Sequence, residues 1–196
     1  YIFYGMLVKI DSAGDFIWGK ELRANGTNAI IVKAIFEMSD GNLIVCGDFD
    51  NNGEANSVVA KLTATGSLVW VKTFQSNTLL CTLGNNPFFI NQIVEGANGD
   101  ILISGFVTNC SVTRYSLIYK LDSAGTLQWS TAFQYPFNDG TGFSMIYENN
   151  TLKLLNRAGG AYSGSDNVVH IDIVKIDYSS GSFLSMKSWQ VNMTYP

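Results

Sequence analysis

Three nearly identical phrases limit what this chain can become. "KIDSAGDFIW" runs from Lys9 to Trp18, "KLTATGSLVW" from Lys61 to Trp70, and "KLDSAGTLQW" from Lys120 to Trp129. A looser fourth copy, "KIDYSSGSFLS", starts at Lys175. There Gly181 comes one residue late and Ser185 stands where the tryptophan belongs, with Trp189 four residues further on as a substitute. The four Lys anchors lie 52, 59 and 55 residues apart. A second phrase keeps the same interval, as "DGNLIVCGDF" from Asp40, "NGDILISGFV" from Asn98 and "NNTLKLLNRA" from Asn149. A period of this length marks one supersecondary unit, which cannot bury its apolar surface alone and must stack on its neighbours.

Within a unit the periodicity is two. In "SLIYKLD", Leu117, Tyr119 and Leu121 share one face, with Ile118 and Lys120 on the other. In "LQWSTAF", Leu127, Trp129, Thr131 and Phe133 alternate with Gln128, Ser130 and Ala132. Alternation broken by Gly and Asn corners is the pattern of strands and hairpins. The expected strands are 30–38, 42–49, 57–63 and 67–74, then 87–96, 101–107, 116–122 and 127–133, then 140–148, 151–158, 168–177 and 182–189. Ahead of them, 4–11 and 15–22 supply two more. Four antiparallel strands per unit at this interval predict an all-β fold, a β-propeller of four-stranded antiparallel blades. About three and a half blades are present: a half blade at 1–22 and blades at 28–74, 87–133 and 140–190.

The repeated phrase then has a structural meaning. Gly14, Gly66 and Gly125 fall in the turn between the third and fourth strands, where a positive φ is expected. Trp18, Trp70 and Trp129 start the outer strand and are expected to cover the seam between blades, each burying about 200 Å². Asp11, Asp122 and Asp177 are placed to accept hydrogen bonds from turn amides. The Lys at 9, 61, 120 and 175 is expected to pair with the acid two residues on, which shares its strand face.

Composition agrees with strands and turns. Charged residues make up only 14% of the chain, against roughly 25% in typical soluble domains, and uncharged Asn, Ser, Thr and Gly replace them. The net charge is −4 and the cations are scattered singly, which disfavours a nucleic-acid partner. No apolar run approaches the ~20 residues of a membrane-spanning helix. The opening "YIFYGMLVKI" has neither the basic start nor the cleavage site of a signal peptide, and reads as part of an internal fragment or a processed product. Cys46, Cys81 and Cys110 form no Cys-x-x-Cys pair, so one disulfide with a free thiol and three thiols both remain open.

Read as "GNLIVCGDF … AKLTATGSLVWVKTF" and "GDILISGFV … YKLDSAGTLQWSTAF", the chain resembles the long secreted propeller-repeat proteins of the Bacteroidetes type. The likeness spans essentially the whole sequence. It is also distantly similar to the tryptophan-docking repeats of quinoprotein dehydrogenases, whose Asp-to-Gly spacing is one residue longer. The Asp-box of sialidase-like propellers occupies the same turn with different spacings. The first resemblance implies a bacterial protein that is extracellular or on the cell surface. It further implies O-glycosylation at Ser12 and Ser123, within Asp11-Ser12-Ala13 and Asp122-Ser123-Ala124. Asn-x-Ser/Thr sites at Asn25, Asn109, Asn149 and Asn192 would matter in a eukaryotic secretory pathway.

Few residues suggest chemistry. "DFDNNGE" places Asp48, Asp50 and Asn52 at alternate positions before Gly53, the first half of a calcium loop. The twelfth position is Val59 rather than the closing Glu, so a solvated hairpin turn is the plainer reading. Calcium is the one cofactor these residues suggest. His170, the only histidine, lies on an expected strand with no second ligand to complete a metal site. Asp100, Glu37, Glu95 and Glu148 lie near strand ends, and paired-acid chemistry would need two of them across a cleft. Phe88, Phe89, Tyr135 and Phe137 belong to the links between blades, as core residues or as a binding surface for glycan or protein.

These features predict a non-catalytic extracellular propeller segment acting in binding, adhesion or scaffolding. The alternatives are part of a propeller enzyme, quinoprotein-like or glycan-acting, and a pure spacer. Three and a half blades do not close a ring of roughly four to eight. The expected partners are therefore other segments of the same propeller or a partner protein, and the exposed edges at 1–11 and near Phe143 should make the chain self-associate.

Overall fold

The computed structural model describes residues 5–24, 28–51, 54–74, 88–108, 114–134, 141–158 and 168–192. Strands dominate these residues. In chain order they are β1 (Gly5–Ile10), β2 (Phe16–Ala24), β3 (Asn28–Glu37), β4 (Leu43–Asn51), β5 (Glu54–Leu62), β6 (Leu68–Phe74) and β7 (Phe88–Glu95). After a 3-10 turn at Ala97–Gly99 come β8 (Ile101–Thr108), β9 (Arg114–Leu121), β10 (Leu127–Gln134), β11 (Thr141–Glu148), β12 (Thr151–Ala158), β13 (Val168–Asp177) and β14 (Phe183–Asn192). The fold is all-β, as the period-two pattern requires, and no helix among the described residues is long and apolar enough to cross a membrane.

The strands make three sheets, ordered β1-β2-β3-β4-β5-β6, β10-β9-β8-β7 and β11-β12-β13-β14. The last two are four-stranded antiparallel sheets. The first has six strands, because β2 continues into β3 through Arg23↔Ala29 and Ala24↔Asn28. Expected as a separate half blade, the β1–β2 hairpin is thus hydrogen-bonded to the sheet that follows. The cause is the short connection: only residues 25–27 lie between β2 and β3, and so short a link holds the two strand ends side by side.

The chain divides into two compact units, Tyr1–Ile90 and Asn91–Pro196. In the first, the body of the β1–β2 hairpin lies on the face of the β3–β6 sheet. Leu7, Trp18 and Leu22 pack with Leu43, Val45 and Leu62, and a second cluster joins Leu22 to Ile30, Phe49 and Val58. In the second unit the β7–β10 and β11–β14 sheets stack face to face. Leu102, Ile118, Trp129 and Phe133 meet Met145, Leu152, Leu154, Val174, Ile176 and Tyr178. Burying these aliphatic faces, at roughly 25 cal/mol per Å² removed from water, is the main force holding sheet to sheet.

One register recurs in four hairpins. Lys9 lies opposite Trp18, Lys61 opposite Trp70, Lys120 opposite Trp129 and Lys175 opposite Ser185. In each hairpin the register shifts immediately beside that pair. The shift absorbs the extra residue of the corner and turns Lys and its partner onto one face. Trp189 does not take the missing indole's place: it lies opposite Ile171, is exposed, and has Lys187 Nζ 5.2 Å above its ring.

Candidate functional site: the sheet seams and their corners

The corners are built by the side chain that opens each turn. Asp11 Oδ1 accepts from the amides of Ala13 and Asp15, both at 2.8 Å, and Asp122 Oδ1 accepts from those of Ala124 and Thr126 at 2.9 and 2.8 Å. Thr63 does the same work with its hydroxyl, which accepts from the Ser67 amide at 3.0 Å. Gly14, Gly66, Gly125 and Gly181 have φ of 90°, 78°, 79° and 71°, the left-handed region that penalises any side chain. Ser12 and Ser123 are exposed in two of these turns.

Two of the glycines carry more than a turn. A methyl group added at Gly66 would sit 3.3 Å from the Trp18 indole, and one at Gly181 would sit 2.7 Å from that of Trp129. The tryptophan of one hairpin therefore lies on the glycine corner of the next; a side chain at 181 would displace the ring, whereas one at 66 would press on Trp18 and the Lys20 stem. Gly14 has nothing within 4 Å of that position. Gly14→Ala should accordingly cost about 1 kcal/mol, the price of the left-handed backbone alone. Gly181→Ala should cost about 2 kcal/mol, because the indole must also move. Urea midpoints of the two variants against the parent chain measure the difference, and equal costs would mean that the indole contact is incidental.

The second seam has a polar centre. Lys120, only 8% exposed, places Nζ 3.0 Å from Asp100 Oδ2 and 3.7 Å from the centroid of the Tyr178 ring. The Tyr178 hydroxyl donates to Asp100 Oδ2 at 2.6 Å, and its carbonyl accepts from Trp129 Nε1 at 3.0 Å. Thr131 Oγ1 donates to the Gly181 carbonyl at 2.5 Å. Tyr147 stacks tilted on Tyr178 with centroids 4.4 Å apart. Burial, followed by the hydrogen bond to Asp100 and the charge it carries, pushes the Tyr178 hydroxyl well above its ordinary pKa. Ion pair, hydrogen bonds and ring contact together tie the two sheets of this unit to each other.

The first unit repeats the ion pair. Lys61, 6% exposed, places Nζ 3.2 Å from Asp40 Oδ2, and amide and side-chain hydrogen bonds from Asn42 hold that carboxyl below its usual range. The buried lysines thus pair with the acid at the preceding corner of their own sheet, not with the residue two positions on. The reason is chemical: that residue stands in the turn, and Asp122 has already given Oδ1 to the turn amides.

Tyr178 is the functional side chain that strand periodicity missed. Its signal was present in the one-residue delay of Gly181. The ordinary corner closes with Gly125 N donating to the Asp122 carbonyl, whereas Gly181 N reaches one residue further, to that of Asp177. The added residue lets the tyrosine turn into the seam. Asp177 Oδ1 then accepts from the amides and hydroxyls of Ser179 and Ser180, which holds its carboxyl down to about 2. A depressed folded-state pKa adds stability above the ordinary value of 3.8 and loses it as pH falls through about 2. The parent chain should therefore lose more of its urea midpoint across that window than Asp177→Asn does. Parallel acid limbs would show that this corner contributes nothing.

The remaining candidates are dispersed. Asp48 lies on β4, where the Ser57 hydroxyl donates to it at 3.2 Å and Lys33 Nζ is 3.7 Å away; its pKa is raised by burial. Asn52 and the side chain of Asp50 lie outside the described residues. Pairing runs unbroken to Asn51↔Glu54, which leaves only residues 52–53 to connect β4 and β5. No group of three His, Cys, Asp or Glu gathers for a metal ion among the described residues. Cys46 is buried, and burial pushes its thiol far above the ordinary value; Cys81 and Cys110 lie outside the described residues. His170 pairs with Ala158 and Gln190 on β13. Phe89 is exposed, while Tyr135, Phe137 and the Phe88 side chain lie outside the described residues. Glu148 pairs with Lys153 across the β11–β12 turn.

A cavity of about 260 Å³ opens in the first unit between β2 and the β4–β6 surface. Leu22, Val45, Val58, Leu62 and Val71 line it, with Lys20 and Glu21 contributing charge. It exists because a two-stranded hairpin cannot cover the whole face beneath it. The sequence matches no protein-family model and no curated protein.

Proposed function

We propose that this chain is a non-catalytic segment of an extracellular or cell-surface β-propeller, whose sheets serve as blades and whose corners and links bind or scaffold. The observation that carries this reading is the repeated directional seam. In each unit the indole of one strand pair sits on the glycine corner of the next, as Trp18 does on Gly66 and Trp129 on Gly181. A radial array needs every blade to give one face and receive on the other, with the same device at each seam.

The buried ionisable groups favour binding over turnover. Lys120, Asp100 and Tyr178 are consumed in holding two sheets together, and so are Lys61 and Asp40 within their own sheet. Loops and corners on a rigid scaffold are where ligand contacts concentrate. Other blades, a partner protein and a glycan are the ligand classes that suit them, and exposed Ser12 and Ser123 are the acceptors for O-linked sugar. The test pairs a glycan and cell-surface binding screen with activity assays on aryl glycosides and on alcohols supplied with a quinone cofactor and calcium. Saturable retention with turnover at the buffer level is expected. Turnover that scales with added chain would replace this reading with a propeller enzyme.

A further inference from the structure

One amine and one carboxyl in the second unit are held as reactants would be. Lys120 lies opposite Leu102, and Asp100 comes two residues before Leu102, so the two groups meet at the end of adjacent strands. Lys120 Nζ is 3.0 Å from Asp100 Oδ2, and the Tyr178 hydroxyl donates to that same oxygen at 2.6 Å. The centroid of the Tyr178 ring is 3.7 Å from the nitrogen, and Tyr147 packs against that ring. The lysine side chain is 11% exposed and that of Asp100 17%. Rings rather than bulk water surround the pair, and charge is less well solvated there than in solvent.

We propose that Lys120 and Asp100 condense after folding into an amide that links β9 to the head of β8. A proton on Nζ passes to Oδ2, which leaves an amine and a carboxylic acid. The nitrogen lone pair then attacks Cγ, so that the C–N bond forms while the carbonyl π pair moves onto Oδ1. When that pair returns, the Cγ–Oδ2 bond breaks and Oδ2 departs as water with a second proton from the nitrogen. Two of the three ammonium protons leave in that water and one stays on the amide. Both charges vanish, nothing is oxidised or reduced, and no co-reactant is consumed.

The Tyr178 hydroxyl is aimed at the leaving oxygen, where a hydrogen bond eases its departure. It donates without giving up its proton, which burial holds more tightly than water would. Condensation runs uphill between separate molecules in water, but two groups held in contact react as though each were present at about 10⁵ M or more. The other buried lysine is a control within the chain. Lys61 Nζ is 3.2 Å from Asp40 Oδ2, yet the Asp40 side chain is 47% exposed and that oxygen also accepts from Asn42 Nδ2 at 2.8 Å. Solvent and an amide hold that carboxylate, so this pair stays ionic. The ion pair is likewise the state in which the second seam first closes, before the bond forms. The inference rests on the geometry of that seam and does not depend on what the sheets bind.

Intact mass of the purified full chain tests it. The parent should be lighter than its sequence by one water, about 18 Da. Trypsin should release 73–114 joined to 115–153, with fragmentation placing the link between Asp100 and Lys120, while cleavage after Lys61 proceeds. Lys120→Arg keeps a cation beside Asp100 but presents a guanidinium that stays charged and does not attack, so it should have full mass. Tyr178→Phe keeps the ring beside the nitrogen and loses only the hydroxyl. It should form the bond about a hundredfold more slowly, read as the full-mass fraction against sample age, with circular dichroism like that of the parent. A parent chain at full mass would overturn the proposal, and that measurement needs no variant to fold. So would a water loss that survives Lys120→Arg, or a Tyr178→Phe chain that bonds as fast as the parent.

Discussion

Trp129→Ala is expected to destabilise the chain by about 3 kcal/mol, the low end of the range for removing a large aromatic from a packed site. The indole is only partly buried, which argues for the low end. It nevertheless joins the two sheets of the 91–196 unit in three ways. Its ring packs against the Leu102, Ile118 and Val174 cluster. Its Nε1 donates to the Tyr178 carbonyl at 3.0 Å, and its face covers the Gly181 corner. Urea unfolding of the whole chain, followed by far-ultraviolet circular dichroism, measures the loss. The combination with Gly181→Ala is the sharper test. Once the indole is gone, alanine at 181 meets no ring, so the double variant should be more stable than the sum of the single losses by about 1 kcal/mol. Strict additivity would show that ring and corner do not share one contact.

Asp100→Ala should cost a comparable amount, about 3 kcal/mol, for a different reason. The substitution removes little apolar surface, yet it strips the Lys120 ammonium of its partner at a position only 8% exposed. An uncompensated charge in such a place is far costlier than the pair is beneficial. It also takes away the acceptor of the Tyr178 hydroxyl. Lys120→Met combined with Asp100→Ala should recover most of the loss, because the buried charge goes together with its partner. Stability unchanged in Asp100→Ala would mean that water already solvates Lys120. No recovery in the double variant would mean that the carboxylate acts mainly through the Gly96–Asp100 turn.

How much of this could be read from the chain depends on how far apart the interacting groups lie. The alternation in "SLIYKLD" and "LQWSTAF" is local and places β9 and β10 within a residue or two. The Asp11 and Asp122 corners are equally legible, since each acid and the amides it binds lie within four residues. The Lys–Asp pairs were misread: proximity along the strand pointed to Asp122, but sheet pairing brought Asp100 to Lys120 from twenty residues away. Tyr178 escaped notice because its partners, Asp100, Lys120 and Trp129, come from the preceding sheet.

A two-residue period with glycine, asparagine and tryptophan at set offsets dictates hairpins, their twist and their common register by itself, because each of these is settled by neighbours a few bonds away. Which acid neutralises which lysine and which corner lies under which ring were decided only when whole sheets met, since those contacts join segments that no local spacing relates. If indoles 18 and 129 proved to be fully wetted in solution, the mortar between these layers would be missing and the reading built on it would fall.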